Sequence, residues 1–389
     1  MLLAMVSLDL LVVVLAALLA VISPQEALLF AVAYIVASWI FGGYALLSWP
    51  WVARSRLVQR SVLVVAATVA LLWLAGGQGS ILLLAVAQLS WAIALRVAGL
   101  RLLQTRATRR LQASPVHRKG VQLQHQAAAP RRQLLLLFVA YHPSSAQVEQ
   151  LQHCLQLLPS HIGYAVVAND HRPGEAVDRL AAGADQFLAN SDNPGYGRAV
   201  NRLVASLTEL PPNLGVLNTD LSWQPGTFAR LLAWLQAHPE VSLAVPQILD
   251  ETGAPQQLCK HHPSLLALFS RRFLPDRCKP RWLKRYDRAY VMAGQDYDQV
   301  FDVPYLSGCC MLMRSDAFCR SGGFDERYFL YLEDADLSRS LALEGRCVHL
   351  PLAGVVHGWG RGNYRSLRLM AVNLISAWHY FRKWGWALW

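Results

Sequence analysis

Acidic residues are scarce in this sequence, and over one stretch they are absent. The 389-residue chain carries 25 Asp and Glu against 36 Lys and Arg, for a formal charge of +11. Only Asp9 and Glu26 precede residue 101, and from Arg101 to Arg132 there is no acid beside eight Lys or Arg. A run of that kind attracts nucleic acid or anionic lipid headgroups. It directly follows a hydrophobic segment, which favours lipid, and no base-reading element accompanies it, which argues against nucleic acid as a partner. Zinc-type cysteine spacing is missing too. The seven cysteines, at 154, 259, 278, 309, 310, 319 and 347, are odd in number and irregular in spacing. They read as reduced thiols in a reducing compartment. The first apolar run lacks a basic start and another follows it almost at once, so it is not a cleaved signal peptide. Charged residues make up only 16% of the chain and apolar ones 54%, with mean hydropathy +0.26, which implies that part of the chain lives in lipid.

The apolar excess is concentrated at the start. Residues 1–103 read as a transmembrane domain of four helices, at about 2–22, 28–49, 57–76 and 81–100. The loop between the second and third runs holds Arg54, Arg56 and Arg60, and the segment after the fourth is strongly basic. The positive-inside rule then places that loop, and everything after residue 101, in the cytoplasm. The expectation is a multi-pass protein of the inner (cytoplasmic) membrane. Asp9 lies within the first run, either as a functional intramembrane acid or near enough to the helix start to reach the interface. This half resembles the four-helix anchors of bacterial enzymes that start sugar chains on polyprenyl phosphate.

Residues 104–132 read as a basic linker rich in Gln and Ala, and the texture then changes. Strand-length apolar runs at Leu134–Ala140, Tyr164–Ala168, Gln186–Leu188, Leu214–Leu217 and Ser242–Val245 alternate with helical patterns at Ser145–Leu158, Ala176–Ala182, Arg198–Leu207 and Thr227–His238. That alternation predicts an α/β domain with parallel strands covered on both faces. Ligands in such sheets bind beyond the carboxyl ends of the strands, and the chemically capable residues fall there. Tyr141-His142-Pro143 follows the first strand, Asn169-Asp170 the second, and Asn193-Pro194-Gly195-Tyr196-Gly197, running on to Asn201, the third. Asn218-Thr219-Asp220 follows the fourth. Later come Gly308, then Gly322-Gly323-Phe324-Asp325-Glu326, then Glu333-Asp334-Ala335-Asp336, and finally His357.

This ordered set resembles the inverting glycosyltransferases of family 2, which have the GT-A nucleotide-diphospho-sugar transferase fold, a Rossmann-like mixed sheet. The similarity is greatest to their bacterial rhamnosyltransferase branch, related to galactofuranosyltransferases, and covers residues 133–365. It implies a nucleotide-diphosphate sugar donor and a divalent cation, Mn²⁺ or Mg²⁺, to neutralise the leaving diphosphate. Asp220 would be one metal ligand and His357 a second, an imidazole suiting Mn²⁺ better than Mg²⁺. Asn218 is neutral where the family often carries an acid. Asp334 would be the base that takes the proton of the acceptor hydroxyl, flanked by Glu333 and Asp336. Clustered acids raise one another's pKa, although three acids in the first turn of a helix also complement its dipole. Asp170 would bind the base edge, with Tyr141 and His142 beside it, although the family order is Asp-Asn and here Asn169 comes first. Asn193, Gly195, Gly197 and Asn201 would form a nucleotide-contact loop, the glycines allowing close approach of the ligand. Asp325 and Glu326 would shape the acceptor side.

Two stretches point to the acceptor. Residues 260–290 show little strand or helix pattern but combine Lys260, Arg271, Arg272, Arg277, Lys279, Arg281, Lys284 and Arg285 with Phe269, Phe273 and Trp282. Residues 366–389 read as an aromatic interfacial helix, with Trp378, Tyr380, Phe381, Trp384, Trp386 and Trp389 beside Arg382 and Lys383. Both suit membrane lipids or a polyprenyl-diphosphate-linked glycan acceptor, or else a helix packing its aromatics on the domain core. By resemblance the sugar is L-rhamnose from dTDP-rhamnose, with a uridine-diphosphate sugar close behind, used in cell-surface polysaccharide synthesis. A processive polysaccharide synthase would carry Gln-x-x-Arg-Trp after Asp336, and none follows. A catalytically inactive membrane scaffold stays open, as does a homo-oligomer.

Overall fold

The computed structural model describes residues 24–40, 109, 111–124, 130–358 and 367–389, with isolated positions at 62, 64–66 and 68. The chain divides into two compact units, Leu111–His379 and a second made of residues 1–110 with Tyr380–Trp389.

In the second of these units, helix α1 (Pro24–Ile40) places Phe30, Tyr34 and Ser38 on one buried stripe at four-residue spacing, with the Phe30 and Tyr34 rings stacked 6.2 Å apart. Leu28, Leu29 and Val32 are exposed. Among the described residues no helix is long and apolar enough to cross a membrane. The expected spans at 2–22 and 81–100, with Asp9, lie outside the described residues, as do most of 57–76 and the second half of 28–49.

The larger unit opens with α2 (Pro115–Gln124), inside the segment read as a linker. Val116 is fully buried, the Ser114 hydroxyl donates to the Gly322 carbonyl, and a Cβ at Gly120 would meet the Cys319 side chain at 2.5 Å. Part of the linker is therefore packed domain surface. Too few of its residues are apolar for the pattern to have shown this.

Nine strands form one sheet: β1 (Leu134–Ala140), β2 (Ile162–Ala168), β3 (Gln186–Ala189), β4 (Asn213–Asn218), β5 (Leu221–Trp223), β6 (Val241–Leu249), β7 (Phe301–Asp302), β8 (Cys310–Arg314) and β9 (Arg346–His357). Their order is β3-β2-β1-β4-β8-β6-β9-β5, with β7 also on β9. The sheet is mixed. β1, β2, β3 and β4 are parallel, whereas β8 runs antiparallel between β4 and β6. β1 is almost continuously apolar because both its faces are covered. On one flank lies α3 (Ser145–Gln156), started by a reciprocal cap in which Ser144 accepts from the Gln147 N–H and Gln147 from that of Ser144; it buries Val148, Leu151 and Leu155. Helices α4 (Tyr196–Ser206) and α5 (Thr227–Ala237) complete the alternation expected from the sequence, except that 176–183 is a 3₁₀ segment.

Residues 260–290, poor in pattern, hold two helices, α6 (Leu265–Phe273) and α7 (Arg281–Tyr290). Their contact is polar: Ser270 donates to Asp287, and the buried Lys279 ammonium donates to the same carboxylate at 2.6 Å. A core built from Ser, Lys and Asp leaves no apolar period to read. The unit continues with α8 (Ser315–Ser321), α9 (Glu333–Leu341) and α10 (Leu367–Trp384), which begins one residue inside the expected C-terminal helix; the Ser376 hydroxyl donates to the Leu330 carbonyl.

Candidate active site

β1, β2, β4 and β6 run the same way, and β9 runs with β6, so their carboxyl ends share one edge of the sheet. β8 runs against them and therefore begins at that edge, with its entrance, Ser307-Gly308-Cys309, held there by an Asn218 N–H to Cys309 carbonyl bond of 3.0 Å. Every residue singled out from the strand ends therefore lies along one line.

At the β1–β2 end, His142 sits between two carboxylates. Its Nε2 is 3.1 Å from Asp170 and its Nδ1 is 2.9 Å from Glu175, while the exposed Tyr141 ring tilts against it at 4.5 Å. Both His142 and Asp170 have positive φ, a conformation that costs free energy and is held here by these contacts. The Asn169-Asp170 ambiguity resolves structurally. The Asn169 amide is buried and accepts from Asn190 at 2.9 Å, whereas the Asp170 carboxylate stays open to solvent. Glu175 carried no sequence signal.

At the β4–β9 end, Leu221 pairs with His357, and the Gly358 N–H donates to the Asp220 carbonyl. That pairing brings His357 Nε2 to 3.4 Å from Asp220 Oδ2. Asp220 Oδ1 and His357 Nδ1 are both buried with no hydrogen-bond partner. Orphaned polar atoms of this kind are costly, and a carboxylate with an imidazole is a donor pair that a divalent cation satisfies, so these residues fit a metal. Among the described residues no group of three or more His, Cys, Asp or Glu side chains is arranged to hold one. Two protein ligands leave the other positions to water and ligand oxygens.

The third element is the start of α9. Two successive residues of positive φ, Tyr331 and Leu332, turn the chain into it. Asp334 then accepts from the Gly308 N–H at 3.0 Å and from the Tyr305 hydroxyl at 3.1 Å. A Cβ on Gly308 would press on the Asp334 side chain at 3.0 Å, so this approach requires glycine. Burial keeps the Tyr305 hydroxyl protonated well above its ordinary range, which suits a donor. The Lys260 ammonium stands over the Tyr305 ring at 4.5 Å. Burial pushes its pKa down, and the nearby Asp334 charge opposes that. Glu333 is buried with one carboxylate oxygen unpartnered, and burial first, then the Asp334 charge, holds its pKa well above the carboxylate range. Asp336 is buried and accepts from the Tyr328 hydroxyl at 3.3 Å, which ties it into the fold. Tyr305 follows Pro304 in a stretch with no motif, and sequence reasoning passed over it.

The Asn193–Asn201 loop has a different geometry from the one expected. A Cβ on Gly195 would lie 2.3 Å from the Phe329 carbonyl oxygen, and one on Gly197 would lie 2.6 Å from the Phe324 side chain. The close approach these glycines allow is to the protein's own 324–329 segment. Asn201 donates to the Phe324 carbonyl at 2.8 Å and to Glu326 at 3.2 Å, and accepts from the Phe324 N–H at 3.0 Å, so its buried amide is fully used. Asn193 accepts from the Gly195 N–H. Glu326 pairs with Arg198, and Asp325 with Arg327. The loop thus latches the Gly-Gly-Phe-Asp-Glu segment in place ahead of Glu333 and Asp334. All seven cysteines are free, and all but Cys278 are buried.

No family model matches the chain. Over 201 residues it is 33% identical to N-acetylglucosaminyl-diphospho-decaprenol L-rhamnosyltransferase from two strains of Mycobacterium tuberculosis, a match covering 49% of this chain and 63% of each relative. The chain therefore spans less than two thirds of those curated relatives. Among solved structures, GalNAc-T7 with UDP, GalNAc and Mn²⁺ superposes with TM-score 0.43 and 14% identity, over 60% of this chain and 45% of that one. The mannosyltransferase PcManGT of Pyrobaculum calidifontis, in complex with GDP-Man and Mn²⁺, gives TM-score 0.42 and 16% identity over 69% and 71%.

Proposed function

We propose that the protein is an inverting glycosyltransferase of GT-A type that moves a sugar, L-rhamnose in the first instance, from a nucleotide diphosphate to a lipid-diphosphate-linked glycan. The observation that carries this reading is the line of groups on one sheet edge: His142 with Asp170, Asp220 with His357, and Asp334 at Gly308. The rhamnosyltransferase relatives support the sugar and the class of acceptor.

In this reading the His142–Asp170 end receives the nucleoside. Asp220 and His357 would hold the divalent cation, which when bound neutralises diphosphate charge. The acceptor hydroxyl oxygen bonds to the anomeric carbon from the face opposite the diphosphate, the carbon–oxygen bond to the diphosphate breaks, and its electron pair leaves with the nucleotide. Asp334 takes the hydroxyl proton. The Gly308 N–H and Tyr305 hydroxyl fix the carboxylate, and Glu333, kept neutral by its surroundings, adds no second charge beside it.

We place the catalytic unit on the cytoplasmic face of the inner membrane, supported by Arg54, Arg56, Arg60 and the basic 101–132 segment next to apolar runs. The test is transfer from dTDP-rhamnose and a panel of uridine-diphosphate sugars to polyprenyl-diphosphate N-acetylglucosamine, with the anomeric configuration of the product read by NMR. Inverted product supports the reading. Retained configuration, or no turnover with any donor, removes it.

A further inference from the structure

We propose that Lys260 and Arg271 bind the phosphate group of the lipid-linked acceptor beside Asp334. The assignment rests on the transferase reading above and names the residues of its acceptor site. Lys260 and Tyr305 exchange backbone hydrogen bonds in both directions at 3.0 Å, which fixes the Lys260 ammonium over the ring whose hydroxyl reaches Asp334. On the other side the His261 N–H donates to the Tyr290 carbonyl at 2.8 Å, and the Arg271 guanidinium stands over the Tyr290 ring at 5.8 Å. One run of contacts thus leads from Asp334 through Lys260 to Arg271.

Among the described residues neither cation is ion-paired with a carboxylate. Lys279, in the same segment, shows the contrast: it is buried between Asp276 at 2.9 Å and Asp287 at 2.6 Å. Where this fold needs a buried cation for itself, it neutralises it. Lys260 is half-buried, faces a second positive charge in Arg271, and is held only by an aromatic face, which steadies an ammonium while leaving its N–H donors free. A phosphate supplies the missing charge and acceptors.

The place in the sheet selects the acceptor's phosphate over the donor's. The His142–Asp170 pair stands at the ends of β1 and β2, whereas Lys260 follows β6, beyond β4 and β8. From Lys260 the chain enters α6 and α7, where Phe269, Phe273 and Trp282 are exposed to meet an isoprenoid chain.

The test uses detergent-solubilised full-length protein and calorimetric binding of farnesyl diphosphate, farnesol and dTDP. Wild type is expected to bind farnesyl diphosphate at least about tenfold more tightly than farnesol, with inorganic pyrophosphate competing. Lys260→Gln and Arg271→Gln should each weaken farnesyl diphosphate about tenfold while leaving farnesol and dTDP unchanged, and Lys260→Arg should keep most of the affinity. Wild type that does not distinguish the two lipids, or is not competed by pyrophosphate, overturns the assignment whether or not the variants fold. Variants that weaken dTDP instead move the two cations to the donor and also overturn it. Because the readout is binding, a protein that binds farnesyl diphosphate in this way yet transfers no sugar counts against the transferase reading and leaves the phosphate site standing.

Discussion

His357 Nε2 lies 3.4 Å from Asp220 Oδ2, although 137 positions separate the two residues along the chain. The short antiparallel pairing of β5 with β9 makes the contact, and each side chain keeps one buried atom without a partner. Asp220→Asn is therefore expected to lower metal-supported donor turnover by about a hundredfold, and His357→Ala by about tenfold. Mn²⁺ titration followed by electron paramagnetic resonance should show weaker binding in both. Unchanged Mn²⁺ affinity in both variants would separate this pair from the metal.

Asp334→Asn should reduce kcat by about 10³-fold with little change in nucleotide affinity, because it removes proton acceptance and leaves the donor-side contacts in place. The amide cannot accept from both the Gly308 N–H and the Tyr305 hydroxyl without turning its NH₂ toward one of them. Steady-state kinetics with a parallel measurement of dTDP binding checks the split. A rise in KM alone would assign Asp334 to binding.

Glu333 gives a signed pH dependence. Its pKa is raised in the folded protein from the ordinary value of 4.5. Between the unfolded and folded values the native state holds the proton and the unfolded state has lost it, so stability falls as pH rises through that window. Glu333→Gln removes the slope. The variant should match wild type at about pH 5 and melt about 4 °C higher at about pH 8.5. Thermal melts at the two pH values decide the matter, and a gap that does not widen with pH contradicts the burial argument.

Gly195 has φ +93° and lies against the Phe329 carbonyl. Gly195→Ala is expected to destabilise the larger unit by about 1–3 kcal/mol, through strain and displacement of the 324–329 segment. Denaturant unfolding measures it, and activity should fall alongside. If the alanine variant is as stable as wild type but binds dTDP more weakly, the glycine serves the ligand directly.

Much of this arrangement was legible in the sequence because strand ends are positioned by simple rules. An apolar run such as Leu134–Ala140, followed by a polar cluster, fixes both an element and the edge on which its chemistry must appear, which is how His142, Asp170, Asp220 and His357 could be placed together. What escaped has identifiable causes. The α6–α7 pair is held by Ser270, Lys279 and Asp287, which leave no hydrophobic period. Tyr305 and Glu175 act through contacts with partners far along the chain, and neither belongs to a local motif. Gly195 and Gly197 signalled a close approach correctly, but spacing alone does not distinguish a ligand from the protein's own Phe329 and Phe324.

The most direct measurement of the central claim is turnover of nucleotide-sugar donors by the full chain in detergent, with Mn²⁺ or with EDTA, for wild type and Asp334→Asn. The account predicts turnover that needs the metal, ceases with EDTA and collapses in the variant while donor binding persists. Donor turnover that is indifferent to EDTA and equal in the two proteins would contradict it.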